Sequence, residues 1–286
     1  MKHAPGDIVS GRLCAWFRAR RSVGGWTVLA AGVLLAVMPV HAQQVIRPVK
    51  DGTILDTGAD GVPDTLDATF NNSTPGFEGA ITLIRGVNAR EIRVFWEYNL
   101  AAVTMIVPVS AKLTLTLRGA PIFPLPPATV RVAAYPSDLL ESLADFGAVP
   151  ESCVGVATVE PFQEPTDFTI DVSGVVNDAL ASGLDRAAFR FQIESGAPGD
   201  VYQAFIDAVD SDPATKPVLT LRAATSLLRH DYDVDGDVDL GDFQHFDGCS
   251  TGVGGMFGPG CRTFDADVDS DIDVLDFGDF QRHFTN

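Results

Sequence analysis

Twelve aspartates fall into two copies of one spacing, DYDVDGDVDLGD from Asp231 to Asp242 and DADVDSDIDVLD from Asp265 to Asp276, 34 residues apart. Aligning residues 231–252 with 265–286 leaves 10 of 22 positions identical, among them an Asp at each of positions 1, 3, 5, 7, 9 and 12. A hard dication takes about six to eight oxygens at short range, and a tightly turning chain of this spacing supplies them. Positions 1, 3 and 5 give side chains, 7 a backbone carbonyl, 9 a side chain that often acts through water, and 12 a carboxylate. The expected ligands of the first loop are Asp231, Asp233, Asp235, the carbonyl of Asp237, Asp239 and Asp242. Those of the second are Asp265, Asp267, Asp269, the carbonyl of Asp271, Asp273 and Asp276, so two Ca2+ ions are expected. Gly236 at position 6 suits the sharp turn, whereas Ser270 in the second loop tolerates a positive φ less well, and the second site is expected to be the weaker.

Such loops need flanking elements to hold them. Val238 and Ile272 occupy the apolar position 8, and Phe243/Phe246 and Phe277/Phe280 follow each loop at i, i+3 spacing, the apolar stripe of a short helix. The competing account is a solvated acidic tail, since runs of like charge are commonly disordered. Aromatic pairs kept in register with each loop argue against it.

Paired loop–helix units with Asp rather than Glu at position 12 resemble the dockerin type I module, a calcium-dependent docking domain. The F-D-x-D-x-D and D-F-x-x-F patterns and the Cys-flanked Gly-rich connector are similar to the C-terminal tails of secreted planctomycete-type bacterial proteins. The resemblance covers residues 226–286 and implies a cohesin-like or cell-surface protein partner. Positions 10 and 11, a hydroxyl pair in cellulase-complex dockerins, are here Leu240/Gly241 and Val274/Leu275, so the partner is expected to differ.

The compartment is read from the N-terminus. Arg12, Arg18, Arg20 and Arg21 precede an apolar run from Trp26 to Val40 and the small-residue exit Val40-His41-Ala42, the layout of a secretory signal peptide over residues 1–42. The run is shorter than the ~20 residues of a spanning helix, so a secreted, extracellular or cell-surface protein with no membrane span after cleavage is expected. Residues 43–286 then carry 15 Lys+Arg against 37 Asp+Glu, a net charge of −22, which disfavours nucleic acid and anionic membrane as partners. The tail alone has 14 Asp and three Arg. Of the cysteines left after cleavage, Cys249 and Cys261 bracket STGVGGMFGPG; a disulfide between them would shorten the unfolded chain's reach, the alternative being two free thiols. Cys153 reads as a small packing residue rather than a nucleophile.

Residues 43–225 alternate with period 2 in strand after strand: 91–100, with Ile92, Val94, Trp96, Tyr98 and Leu100 on one face, 112–118, 129–135, 167–172, 188–194, 202–209 and 218–222. One short helix is expected at 174–182. The fold class is therefore mainly β, an antiparallel β-sandwich of jelly-roll type, followed by a small α-helical calcium-binding domain. RVFWEYNL, SAKLTLTLRG, TVRVAAYP, DFTIDVSGVVNDALASG and DAVDSDPATKPVLTLR resemble the DNRLRE family of carbohydrate-binding-module-like sandwiches, which implies polysaccharide binding or an adhesive, structural role.

No histidine lies between residues 43 and 225, which removes Ser-His and Cys-His relays and makes zinc chemistry improbable there. A glycosidase would need only two carboxylates, and Glu91, Glu97, Glu151, Glu160, Glu164 and Glu194 are present, but in so acidic a chain they read as a solvated face. Trp96 is expected in the core, leaving Tyr135, Tyr202 or polar loops for any glycan. Asp56, Asp60 and Asp64 in DTGADGVPD are either a structural calcium site or an ordinary Asp-Gly turn. The reading reached is a secreted, non-catalytic calcium-binding protein. A polysaccharide-degrading enzyme or its accessory subunit, and a calcium-cemented envelope component, stand as alternatives.

Overall fold

The computed structural model describes residues 43–67, 80–84, 89–105, 108–119, 125–194, 200–206, 217–224 and 228–285; the expected signal peptide lies outside them. The strands are β1 (Gln43–Ile46), β2 (Pro48–Thr57), β3 (Thr65–Asp67), β4 (Ala80–Ile84), β5 (Arg90–Asn99) and β6 (Val109–Gly119). They continue with β7 (Ala128–Tyr135), β8 (Ser152–Val159), β9 (Thr166–Asp171), β10 (Arg186–Ile193), β11 (Val201–Ile206) and β12 (Val218–Ala223). Helix α1 (Ser173–Ala181) follows β9, and α2 (Leu240–Cys249) and α3 (Val274–His283) lie in the tail. The protein is mainly β and its pairings are antiparallel.

Neighbouring strands run β1-β12-β6-β11-β4-β5-β10-β7-β8, with β2 on the far edge of β5 and β9 on the far edge of β6. One edge of β6 is shared between β12 and β11, and one edge of β5 between β4 and β10. These handovers turn the ladder into two layers that face each other. Leu113, Leu115 and Leu117 of β6 meet Val94, Trp96 and Tyr98 of β5, Val130 and Val132 of β7, and Phe189 and Phe191 of β10 in one core. Trp96 is fully buried, its ring 4.4 Å from that of Phe191. Each such side chain contributes about 1.5–3 kcal/mol relative to exposure.

The strands and helix expected from alternation occur within three residues of the stated bounds, the last part of 202–209 lying outside the described residues. The opposite face of β5 departs from expectation. Phe95 and Glu97 on it are buried, because the segment after β7 folds back with a 3-10 turn at Leu143–Phe146, and Phe146 closes against Ile54, Phe95 and Tyr135. Glu97 is therefore not part of a solvated face, and Tyr135, 1% exposed, is unavailable to a glycan.

The tail packs directly on the sandwich. Tyr232 is buried against Gly174 at the start of α1, where an added Cβ would fall 2.2 Å from the tyrosine ring. Gly258 lies so close to the Glu151–Ser152 backbone that its own Cβ would sit 2.3 Å from the Glu151 carbonyl carbon. The Asp178 carboxylate on α1 accepts from the backbone N–H of Gly260 (3.0 Å) and Arg262 (3.2 Å). Cys249 and Cys261 form a disulfide, as expected, within the tail's own core of Tyr232, Val238, Phe246, Phe264, Ile272 and Phe280. Cys153 is a half-buried free thiol.

Candidate metal centre

Each Asp loop winds around the carboxylate at its first position. Asp231 accepts from the N–H of Asp235 and of Gly236, both at 3.1 Å, and Asp265 does the same from Asp269 (3.2 Å) and Ser270 (3.3 Å). At position 5, Asp235 accepts from Asp237 N–H and Asp269 from Asp271 N–H. At position 12, one oxygen of Asp242 accepts from Tyr232 N–H and the other from Asp239 N–H; Asp276 repeats both bonds with Ala266 and Asp273. Position 9 has a second task that its spacing alone did not disclose. Asp239 accepts from Gly241 N–H and Asp273 from Leu275 N–H, so each is the N-cap of the helix that follows, within a reciprocal capping box.

These bonds bring carboxylate oxygens of Asp231, Asp233 and Asp242 within 4.8 Å of one another, likewise those of Asp237, Asp239 and Asp242, and those of Asp265, Asp267 and Asp269. The carboxylates of one loop repel each other and are partly withdrawn from water. Burial, then the neighbouring Asp171, Asp235 and Asp242, push the Asp233 carboxyl up to about 7, and burial holds Asp242 at about 6. One oxygen of Asp233 is buried without a hydrogen-bond partner. A donor set of oxygens alone, crowded and with a spare buried lone pair, fits a hard cation. Asp271 turns its side chain toward Gly254 N–H, which leaves its carbonyl as the group a position-7 ligand would supply.

Position 6 is left-handed in both loops, Gly236 at φ 107° and Ser270 at φ 75°. Serine pays for that conformation and glycine does not. Ser270→Gly is expected to tighten cation binding by the second loop roughly fivefold, on the order of 1 kcal/mol, and to leave the first loop unchanged, as read by calorimetric titration. Position 4 is left-handed as well, at Val234 (φ 59°) and Val268 (φ 62°), where a β-branched residue is costly. The identical valines in both copies gave no sequence signal of it.

A further pair of residues was overlooked. Val238 exchanges bonds with Thr285, whose N–H donates to the Val238 carbonyl at 2.8 Å and whose hydroxyl accepts from Val238 N–H at 2.9 Å. Thr251 does the same for Ile272. Each loop is thus clasped at position 8 by the residue that follows the other repeat's helix. Both threonines belong to the identical positions of the two copies, and that identity was the available signal.

Phe246 and Phe280 are buried beneath the loops, with Phe243 and Phe277 beside them. Leu240, Val274 and Leu275, at positions 10 and 11, are 66%, 73% and 64% exposed. They begin α2 and α3.

Asp56, at the end of β2, accepts from Asp60 N–H (3.3 Å) and Gly61 N–H (2.7 Å), forming an Asp-Gly turn into β3. Among the described residues no helix is long and apolar enough to cross a membrane. No protein-family model matches the chain, and no curated protein does.

Proposed function

We propose that this is a secreted, non-catalytic calcium-binding protein in which the mainly β portion does recognition or structural work. Its C-terminal dockerin-like module takes up two Ca2+ ions and docks onto a cohesin-like or cell-surface partner. The observation that carries the reading is the repetition of six hydrogen bonds at a constant offset of 34 residues, each made to or by an aspartate of the ligand spacing. A repeated scaffold that concentrates carboxylates is hard to account for without a cation. The exposed Leu240, Val274 and Leu275 support docking, since Leu240 and Val274 place apolar surface at position 10 of both repeats and Leu275 extends it in the second.

The test uses the chain from residue 43 onward, titrated against cohesin-type domains with and without Ca2+. Calcium-dependent binding is expected, with Leu240→Asp/Val274→Asp/Leu275→Asp weakening it by about 100-fold, the effect of losing apolar anchors, while calcium uptake stays intact. Calcium uptake with no binding to any such domain would leave a calcium-stabilised protein and refute the docking part. No calcium uptake would refute the whole.

A further inference from the structure

Among the described residues outside the tail, one carboxylate is buried with neither oxygen hydrogen-bonded. Glu97 on β5 is 0% exposed, and neither of its carboxylate oxygens has a hydrogen-bond partner. The Ser137 hydroxyl and the Asp138 amide approach it and ease its ionisation, but not with ordinary hydrogen-bond geometry. Its oxygens converge with those of Asp138 and Asp145, one from each carboxylate lying within 4.8 Å of the others. The Tyr135 hydroxyl, in the same apolar cluster, is buried and unpartnered too.

The nearby cations are spoken for. The Arg190 guanidinium donates to the Asp145 backbone carbonyl at 2.8 Å and to the Glu151 carboxylate, and Arg93 pairs with Glu91 and stacks 3.9 Å above the Phe146 ring. Asp145 uses one oxygen to cap its own turn, accepting from Ser142 N–H at 2.8 Å, and Asp138 accepts from Leu140 N–H. Three carboxylates remain with unfilled lone pairs, those of Glu97 and Asp145 buried and that of Asp138 at the exposed edge. A buried anion without a partner costs several kcal/mol, so a fold that keeps one has something else to balance it.

We infer that Glu97, Asp138 and Asp145 form a separate site for a hard divalent cation, Ca2+ being the ion that such an all-oxygen set suits. No histidine or thiol is among the ligands, which sets zinc and copper aside. The site would pin the segment from Pro136 to Pro150 onto the outer face of β5, so cation binding would order this cover independently of the tail. Burial, then the charge of Asp145, raises the Glu97 carboxyl to about 7, which accords with carboxylates gathered before any ion balances them.

The alternative occupant is a proton. Ca2+ bound per chain, measured by equilibrium dialysis on the chain from residue 43 onward, separates the two. The wild type is expected to hold one ion more than Glu97→Gln, and Asp138→Asn, on the exposed rim, is expected to lose the same ion. Asp231→Ala/Asp265→Ala, which addresses only the tail, should retain it. Equal stoichiometry for the wild type, Glu97→Gln and Asp138→Asn would overturn the site and leave Glu97 a buried carboxylic acid. Glutamine removes only a charge, so Glu97→Gln is expected to fold; if circular dichroism shows otherwise, Asp138→Asn decides alone. Failure here leaves the tail reading standing, and failure of the tail sites leaves this one standing.

Discussion

Asp231→Ala is expected to abolish cation uptake by the first loop and to melt the tail at calcium concentrations where the wild type is folded; Asp265→Ala should do so for the second loop. Position 1 has two tasks in each copy. Its carboxylate is an expected ligand, and it also accepts from two backbone N–H groups that have no other partner in the loop. Alanine leaves those donors unpaired, at roughly 1–3 kcal/mol each, and removes a charge from the donor set. Together these should lower affinity by about 100-fold or more. Chelation of the wild type should mimic the variants, because each loop then holds six aspartates in twelve residues with nothing between them. Calorimetric melting of the chain from residue 43 onward, with calcium and with chelator, is the check. Equal melting temperatures for wild type and variants in both conditions would show that the carboxylates neither bind an ion nor organise the loop.

Removing the disulfide should have the next largest effect. Cys249 and Cys261 are separated by 12 positions, and closing a ring of that size lowers the unfolded chain's entropy enough to contribute about 3 kcal/mol. Both residues are buried beside Phe246 and Phe264, so Cys249→Ser/Cys261→Ser also places two hydroxyls in an apolar cluster. The ring carries Gly258 and Gly260 onto the sandwich, and opening it would free that seat. The double variant is therefore expected to melt at lower temperature even in saturating calcium, and to unfold in its tail when chelator is added. A melting temperature indifferent to reductant would contradict this.

The fold and the metal centre were legible to different degrees for physical reasons. Strands solvated on one face announce themselves by alternation, so β6 and β12 were found. β2 (PVKDGTILDT) contains an Asp-Gly pair that mimics a turn, and β8 (SCVGVATV) is interrupted by Gly155, which presses against Ile170; neither shows clean alternation. Ligand spacing is local, and the loops could be read directly. The clasp between Val238 and Thr285 spans 47 residues and left only the shared threonine of the two copies as its mark, while the burial of Glu97 depends on Phe146 folding back over β5, of which the sequence near Glu97 carries no trace. The acidic composition also misled at Glu97, since an average over a surface says nothing about the one carboxylate that a neighbouring segment covers.

The close approach of Tyr232 to Gly174, and of Gly258 to the Glu151 backbone, has a bearing on assembly. Backbone and ring meet there without a flexible side chain to give way, so the tail cannot swivel on the sandwich without losing the fit. A partner gripping Leu240, Val274 and Leu275 would accordingly set the heading of the entire sandwich. Copies arrayed along a scaffold would stand at one angle, like teeth on a comb, with the same face of each sandwich turned outward.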